Sequence, residues 1–183
     1  MKVAATFFLL PCVMLMGGCA TASEQGAGER AVAAPMAHAT LVGPDGAQQG
    51  TATLTEAADG LHVVVKAQGL TPGLHAVHIH MTGTCTAPDF ASAGGHWNPT
   101  SKQHGKDNPN GMHMGDMPNM LAGADGAGEM EYVVPGARIS TGTMPLLDAD
   151  GAAIVIHAKA DDNISDPAGN AGGRVVCGTV TAG

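Results

Sequence analysis

Apolar residues recur at every second position in several short stretches of the chain, and turn-forming residues separate those stretches. Ala37 to Val42 reads as a short strand and is followed by Gly43-Pro44-Asp45-Gly46. Gly50 to Glu56 sets Ala52 and Leu54 against Thr51, Thr53 and Thr55, and Ala58-Asp59-Gly60 turns the chain into Leu61 to Ala67. The same period of two returns at Leu121 to Gly123, Gly128 to Val134, Ala152 to Ala158 and Arg174 to Thr181. Side chains on a strand alternate between faces, so this pattern predicts antiparallel sheet with one buried face, as a sandwich or a barrel. No helical period extends beyond a turn or two.

The most informative strand is His75-Ala76-Val77-His78-Ile79-His80. Val77 and Ile79 share one face and His78 and His80 the other, with His75 out of phase with the pair. Two imidazoles on one rigid strand form half of a transition-metal site. The connections around the strands carry more ligand-type side chains. Met81 to Asn119 is long and aperiodic and contains Cys85, His96, His104, His113 and Asp116. Connections of that length in a compact domain are functional or unstructured, and the ligand-type residues and Cys85 predict a loop ordered by a metal and a disulfide. Arg138 to Leu147 is a second irregular connection, and Lys159 to Gly173 is a Gly-, Asp- and Asn-rich loop directly after His157.

Composition sharpens the fold class. The 183 residues include 27 glycines but one Trp, one Tyr and three Phe, two of which lie near the N-terminus, so the core has to come from Val, Ile, Leu, Ala and Met. That suits an all-β fold. The formal charge of −8 argues against a nucleic-acid binder and leaves any steering of an anion to a local positive spot, since the net field cannot attract it.

The N-terminus predicts export. Lys2 is a minimal positive region, Ala4 to Met16 is apolar but short for a membrane span, and Leu15-Met16-Gly17-Gly18-Cys19 resembles a bacterial lipobox. The expected organisation is an export signal over residues 1–19, a flexible tether over 20–35 and a folded domain over 36–183. Cys19 would carry the lipid that holds the protein to a membrane, which places it as a periplasmic lipoprotein of a Gram-negative bacterium. Cys12 lies in the leader, so only Cys85 and Cys177 remain in the body; one disulfide is the economical outcome, and two free thiols the alternative.

Six histidines and an aspartate (His78, His80, His96, His104, His113, Asp116 and His157) exceed the needs of one tetrahedral site and imply two metals. An all-imidazole set suits Cu(II), and a His/Asp set suits structural Zn(II). With these residues in view, the chain resembles the copper-zinc superoxide dismutase family. The matching segments are Gly73-Leu74-His75-Ala76-Val77-His78-Ile79-His80, Gly94-Gly95-His96-Trp97-Asn98-Pro99, Gln103-His104-Gly105 and His113-Met114-Gly115-Asp116. They continue with His157-Ala158-Lys159-Ala160-Asp161-Asp162 and Gly172-Gly173-Arg174-Val175-Val176-Cys177-Gly178.

The resemblance implies an eight-stranded antiparallel Greek-key β-barrel with two long functional loops, holding one copper and one zinc ion per subunit. It implies copper ligands His78, His80, His96 and His157 and zinc ligands His96, His104, His113 and Asp116, with His96 bridging the two ions. Asp161 matches a carboxylate that links a copper-ligand histidine to a zinc-ligand histidine, Cys85 and Cys177 match the family disulfide, and Arg174 matches the arginine beside copper. The implied reaction is dismutation of superoxide to dioxygen and hydrogen peroxide, with His96 and Arg174 as the catalytic residues. Two features depart from the family: the loop Lys159 to Gly173 has Lys159 as its sole basic residue, and Trp97 stands where Phe is usual.

A periplasmic copper/zinc-binding protein without turnover would keep the ligands but would not need Arg174 or a shared histidine. A zinc hydrolase lacks an open zinc position, because Asp116 completes the set. Met81, Met112, Met114, Met117 and Met120 surround the zinc-bearing loop; gap-filling is preferred there to a Cu(I)-acquisition patch. His38 is expected at the surface, His62 as a structural strand histidine and His75 as a loop anchor. A homodimer is left open.

Overall fold

The computed structural model describes Met1, Lys2, Ala4 and residues 33–183. The lipobox with Cys19, and the predicted tether up to residue 32, lie outside the described residues. Ala33–Gly183 forms one unit.

That unit is all-β, as the alternation predicts. Its strands are β1 (Met36–Val42), β2 (Gln48–Ala57), β3 (Gly60–Ala67), β4 (Gly73–His75), β5 (Val77–His80), β6 (Met120–Ala122), β7 (Gly128–Pro135), β8 (Ala153–His157), β9 (Arg174–Thr179) and β10 (Thr181–Ala182). The sheet runs β4-β6-β7-β3-β2-β1-β9-β8-β5, with β10 paired to β1. Because β4 and β5, at the two ends of this path, are consecutive in the chain, the sheet curls into a nearly closed antiparallel barrel. β3 pairs with β7 rather than β4, and β1 meets β9, so the connections cross over as a Greek key does.

Ten strand segments replace the eight expected, because two runs break. At Ala76 the histidine run leaves β6 and joins β8: the Ala76 N–H donates to the Lys159 carbonyl (2.8 Å), and the His157 N–H donates to the Ala76 carbonyl (2.9 Å). The last run breaks at Val180, whose N–H donates to the Ala152 carbonyl.

The barrel interior is filled by the positions that alternate along the strands. Ala37, Ala39 and Leu41 face in while Met36, His38 and Thr40 are exposed; Leu54, Val63, Val65, Val77, Ile79, Ile154, Ile156 and Val176 complete the same core. Strand β8 is buried on both faces. Ile154 and Ile156 enter the barrel, whereas Ala153 and Val155 pack with Phe90, Ala93 and Cys177 in a second cluster. The loop between β5 and β6 therefore covers the outer face of β8 and β9.

That loop is pinned to the histidine strand by backbone bonds. The Ile79 N–H donates to the Gly115 carbonyl (2.9 Å), the Gly115 N–H to the Trp97 carbonyl (2.9 Å), and the Trp97 N–H to the Ile79 carbonyl (2.8 Å). A Cβ at position 115 would lie 2.3 Å from the Ile79 oxygen, so only glycine permits this approach. Cys85 and Cys177 are joined as a disulfide across a sequence separation of 92, tying the loop to β9.

Candidate metal centre

His78 and His80 lie on β5 and are fully buried, with Val77 and Ile79 packing into the core on the other side. The pinned loop brings His96 opposite His80 and Asp116 opposite His78 as isolated bridges. Two donor sets result: His78, His80, His96 and His157 in one, and His96, His104, His113 and Asp116 in the other. In each, one ligand atom per residue lies within 4.8 Å of the rest, and His96 is common to both.

The geometry of the second set fits a tetrahedral ion. Asp116 Oδ1 lies 2.8 Å from His96 Nδ1, 3.1 Å from His104 Nδ1 and 3.1 Å from His113 Nδ1, and the His96 and His113 Nδ1 atoms are 3.3 Å apart. Donors bound at about 2.0 Å in a tetrahedron are separated by roughly 3.3 Å. Asp116 Oδ2 accepts from the Gly105 and His113 N–H groups, which fixes the carboxylate.

The first set is defined by what its rings lack. Among the described residues, the buried atoms without a hydrogen-bond partner are His78 Nδ1, His80 Nε2, His96 Nε2, His104 Nδ1 and His157 Nε2. A buried polar atom left unpaired is costly, so the four on His78, His80, His96 and His157 together point to a cation in the first set, while His104 Nδ1 belongs to the second set beside Asp116. The opposite nitrogens explain their aim. His78 Nε2–H donates to Asp161 Oδ2 (2.9 Å), His104 Nε2–H to Asp161 Oδ1 (2.9 Å), His80 Nδ1–H to the Gly94 carbonyl (2.9 Å) and His157 Nδ1–H to the Gly172 carbonyl (3.3 Å). When a metal is bound, each bond fixes the neutral tautomer whose lone pair lies on the inner nitrogen.

Asp161 thus joins the two sets from behind. Asn119 holds it in turn, accepting from the Asp161 N–H (2.7 Å) and donating to its carbonyl (2.9 Å). A Cβ at Gly169 would fall 1.9 Å from Asp161 Oδ1, so the loop can close over this carboxylate only with glycine there. Replacing Asp161 by alanine is expected to weaken metal binding in both sets by about 10- to 100-fold while leaving the fold intact, as competition with chelators would measure.

Electrostatics divide the histidines. Burial pushes His80 down to about 2, His157 to about 3 and His96 to about 4, with the positive charge of neighbouring imidazoles acting in the same direction. Burial opposes charge on His104 as well, but hydrogen bonds and charges from Asp116 and Asp161 prevail and raise it to about 9. Both aspartates, against the effect of burial, are held well below the usual carboxylate range by their histidine partners.

The signs give a pH optimum for the metal-free fold. Below about pH 6.5 the unfolded chain takes up protons that folded His80, His96 and His157 refuse, so stability falls by about 1.4 kcal/mol per pH unit for each. The raised His104 stabilises fully below that pH, and its contribution is lost as pH rises through about 9. Urea unfolding of metal-free protein should therefore show a maximum midpoint near pH 6.5, falling on both the acid and the alkaline side. A flat profile would contradict these environments.

Arg174 opens β9 beside the first set. Its Nη1 and Nη2 donate to the Phe90 and Gly94 carbonyls (both 2.6 Å), and burial lowers its pKa without removing its charge. It lines a cavity of about 560 Å³ with His80, His96, Trp97, His113 and His157. His75 anchors a loop as predicted: its ring lies 2.7 Å from both the His157 and Thr71 carbonyl oxygens. His38 is exposed, and His62 pairs with Asp59. Met117 and Met120 are core residues, in line with gap-filling, whereas Met81 lies on the cavity.

Every predicted ligand, Asp161 and Arg174 meet at this end of the barrel. The sequence reading missed Asn119 and the Gly94 carbonyl, which holds both His80 and Arg174; neither carries a residue-type signal.

Comparison with known proteins points to one family. A profile of the copper/zinc superoxide dismutase family matches residues 48–180. The Cu-Zn superoxide dismutase of Caulobacter vibrioides is 44% identical over 147 residues, covering 79% of this chain and 84% of the relative. A superoxide dismutase-like protein of Bacillus subtilis is 42% identical over 146 residues, covering 78% of this chain and 74% of the relative. Among solved structures, a SOD-like protein from Bacillus subtilis aligns with a TM-score of 0.74 at 41% identity, covering 78% of this chain and 96% of that one. The Cu/Zn superoxide dismutase from Brucella abortus aligns with a TM-score of 0.60 at 28% identity, covering 79% and 98%. With the profile spanning most of the barrel, the chain belongs to the copper/zinc superoxide dismutase family.

Proposed function

We propose that the protein dismutes superoxide, converting two superoxide anions and two protons to dioxygen and hydrogen peroxide, at a copper site joined to a zinc site through His96. The observation that carries this reading is the position of His96. Its Nδ1 faces Asp116 and His113, and its buried Nε2, unpartnered among the described residues, belongs with His78, His80 and His157. The all-imidazole set suits copper and the set with Asp116 suits zinc, one ion of each per subunit.

Copper supplies a one-electron couple, and zinc a fixed charge that favours the doubly deprotonated imidazolate of His96. The remaining chemistry belongs to the chain. Arg174, held rigid by two carbonyls, offers a permanent positive charge and fixed donors to a small anion in the cavity. His96 Nε2 takes up a proton in one half of the cycle and delivers it to the nascent peroxide in the other. Asp161 keeps His78 and His104 in the tautomers that bind metal. Replacing Arg174 by isoleucine is expected to lower the bimolecular rate at least about tenfold with copper still bound, as pulse radiolysis with metal analysis would measure.

Metal analysis and a superoxide assay on purified protein, with and without added copper, test the whole reading. Copper-dependent dismutation with one copper and one zinc per chain supports it. Both metals bound without consumption of superoxide would instead favour a metal-binding protein. We further infer export to the periplasm and anchoring through lipidated Cys19, supported by Lys2, the apolar run Ala4 to Met16 and the lipobox-like Leu15 to Cys19. Mass spectrometry of the mature N-terminus tests this; an unmodified Cys19 retained in the mature chain would overturn it.

A further inference from the structure

The cavity that opens on the four-imidazole set has a rim the proposed reaction does not use. Met81, directly after β5, lines it, and so do Asp148 and Asp150 from the turn before β8. All three are exposed. The Met81 N–H donates to the Gly95 carbonyl (3.0 Å), and its Sδ would lie 4.0 Å from a Cβ built on Gly95, next to His96. The acidic turn is fixed beside it: the Gly83 N–H donates to the Asp150 carbonyl (2.8 Å), and the Asp150 N–H to Asp148 Oδ1 (3.0 Å).

These rim charges have the wrong sign for an incoming anion. The other charged or titratable side chains on the cavity are Arg174 and the histidines His80, His96, His113 and His157. Two carboxylates at the mouth oppose superoxide and attract cations. Behind them, His80 Nε2 and His157 Nε2 are buried and unpartnered among the described residues. Three residues of the four-imidazole set (His80, His96 and His157) line this cavity, against two of the zinc-type set (His96 and His113). A thioether at the rim favours Cu(I) and takes Zn(II) poorly.

We propose that Met81, Asp148 and Asp150 form an admission rim that draws copper, as Cu(I), into the four-imidazole set. This rests on the copper assignment made above. Two carboxylates near the path give the ion a higher local concentration, and the thioether gives it a soft, exchangeable first donor before the imidazoles take over. The same charges slow the substrate anion, so one feature trades turnover for loading.

The test is the loading rate of full-length, zinc-loaded protein mixed anaerobically with Cu(I) supplied as its acetonitrile complex. Trp97, the sole tryptophan of the chain, lines the cavity and reports arrival by fluorescence quenching, with final copper measured by metal analysis. In an Asp148→Asn/Asp150→Asn variant, loading should slow about three- to tenfold at low salt, and the difference should vanish near 1 M salt. The fully loaded variant should dismute superoxide about two- to fivefold faster. Met81→Leu should slow Cu(I) entry while leaving Zn(II) uptake by metal-free protein unchanged. Parent-like loading in all rim variants, with copper uptake still weakened by His80→Ala, overturns the rim and leaves the copper assignment standing. Copper uptake that His80→Ala does not diminish overturns both.

Discussion

Replacing His96 by alanine is expected to weaken copper and zinc binding together, each by at least about a hundredfold, and to abolish dismutation. Bonds one step removed from a metal are worth 10- to 100-fold in affinity, and His96 is itself a donor in both sets. Single-set variants separate sharing from general damage. His80→Ala should weaken copper and spare zinc, and His113→Ala should do the reverse, because each belongs to one set only. Chelator competition for both ions, run on the three variants side by side, reads this directly. An H96A protein that loses one ion and keeps the other at parental affinity would show that the imidazole is not shared.

Opening the Cys85–Cys177 disulfide is the second large effect. The bond closes a sequence separation of 92, and restricting an unfolded loop of that size is worth roughly 4 to 5 kcal/mol. It also joins the loop that supplies the Phe90 and Gly94 carbonyls to β9, which starts with Arg174. Reduction, or a Cys85→Ser/Cys177→Ser variant, should therefore lower the denaturant midpoint sharply. It should also release Arg174 from its fixed pose, so the rate falls under conditions where circular dichroism still reports a folded barrel. Unchanged stability, or a rate that falls only with global unfolding, would contradict the clasp.

How much of this was legible in the sequence depended on whether a residue's type or its neighbours decide its role. The alternation in β1, β2 and β3 predicts buried faces because a pleated strand places Leu41, Leu54 and Val63 on one side, whereas β8 is apolar at successive positions and is buried on both faces. His78 and His80 are legible for the same reason, since period two places them together opposite Val77 and Ile79. The loop ligands carry no period. His96, His104, His113 and Asp116 were identified from residue type and from resemblance to a family, and only backbone bonds such as Ile79 to Gly115 show how the chain delivers them.

The break at Ala76 was invisible, because both of its hydrogen bonds run to segments distant in sequence. The Gly94 carbonyl was invisible because every residue has one. The methionines looked like one group along the chain, yet the fold sends Met117 and Met120 into the core and Met81 to the cavity rim.

The central claim is that one imidazole, His96, is bound by two different ions. Anomalous diffraction from crystals of the loaded protein, collected at the copper and zinc absorption edges, tests it most directly. The account predicts one copper among His78, His80, His96 and His157 and one zinc among His96, His104, His113 and Asp116, about 6 Å apart, the span of a ring bound at both nitrogens. Ions well beyond that span, or a single ion occupying both sets when both metals are supplied, would contradict it.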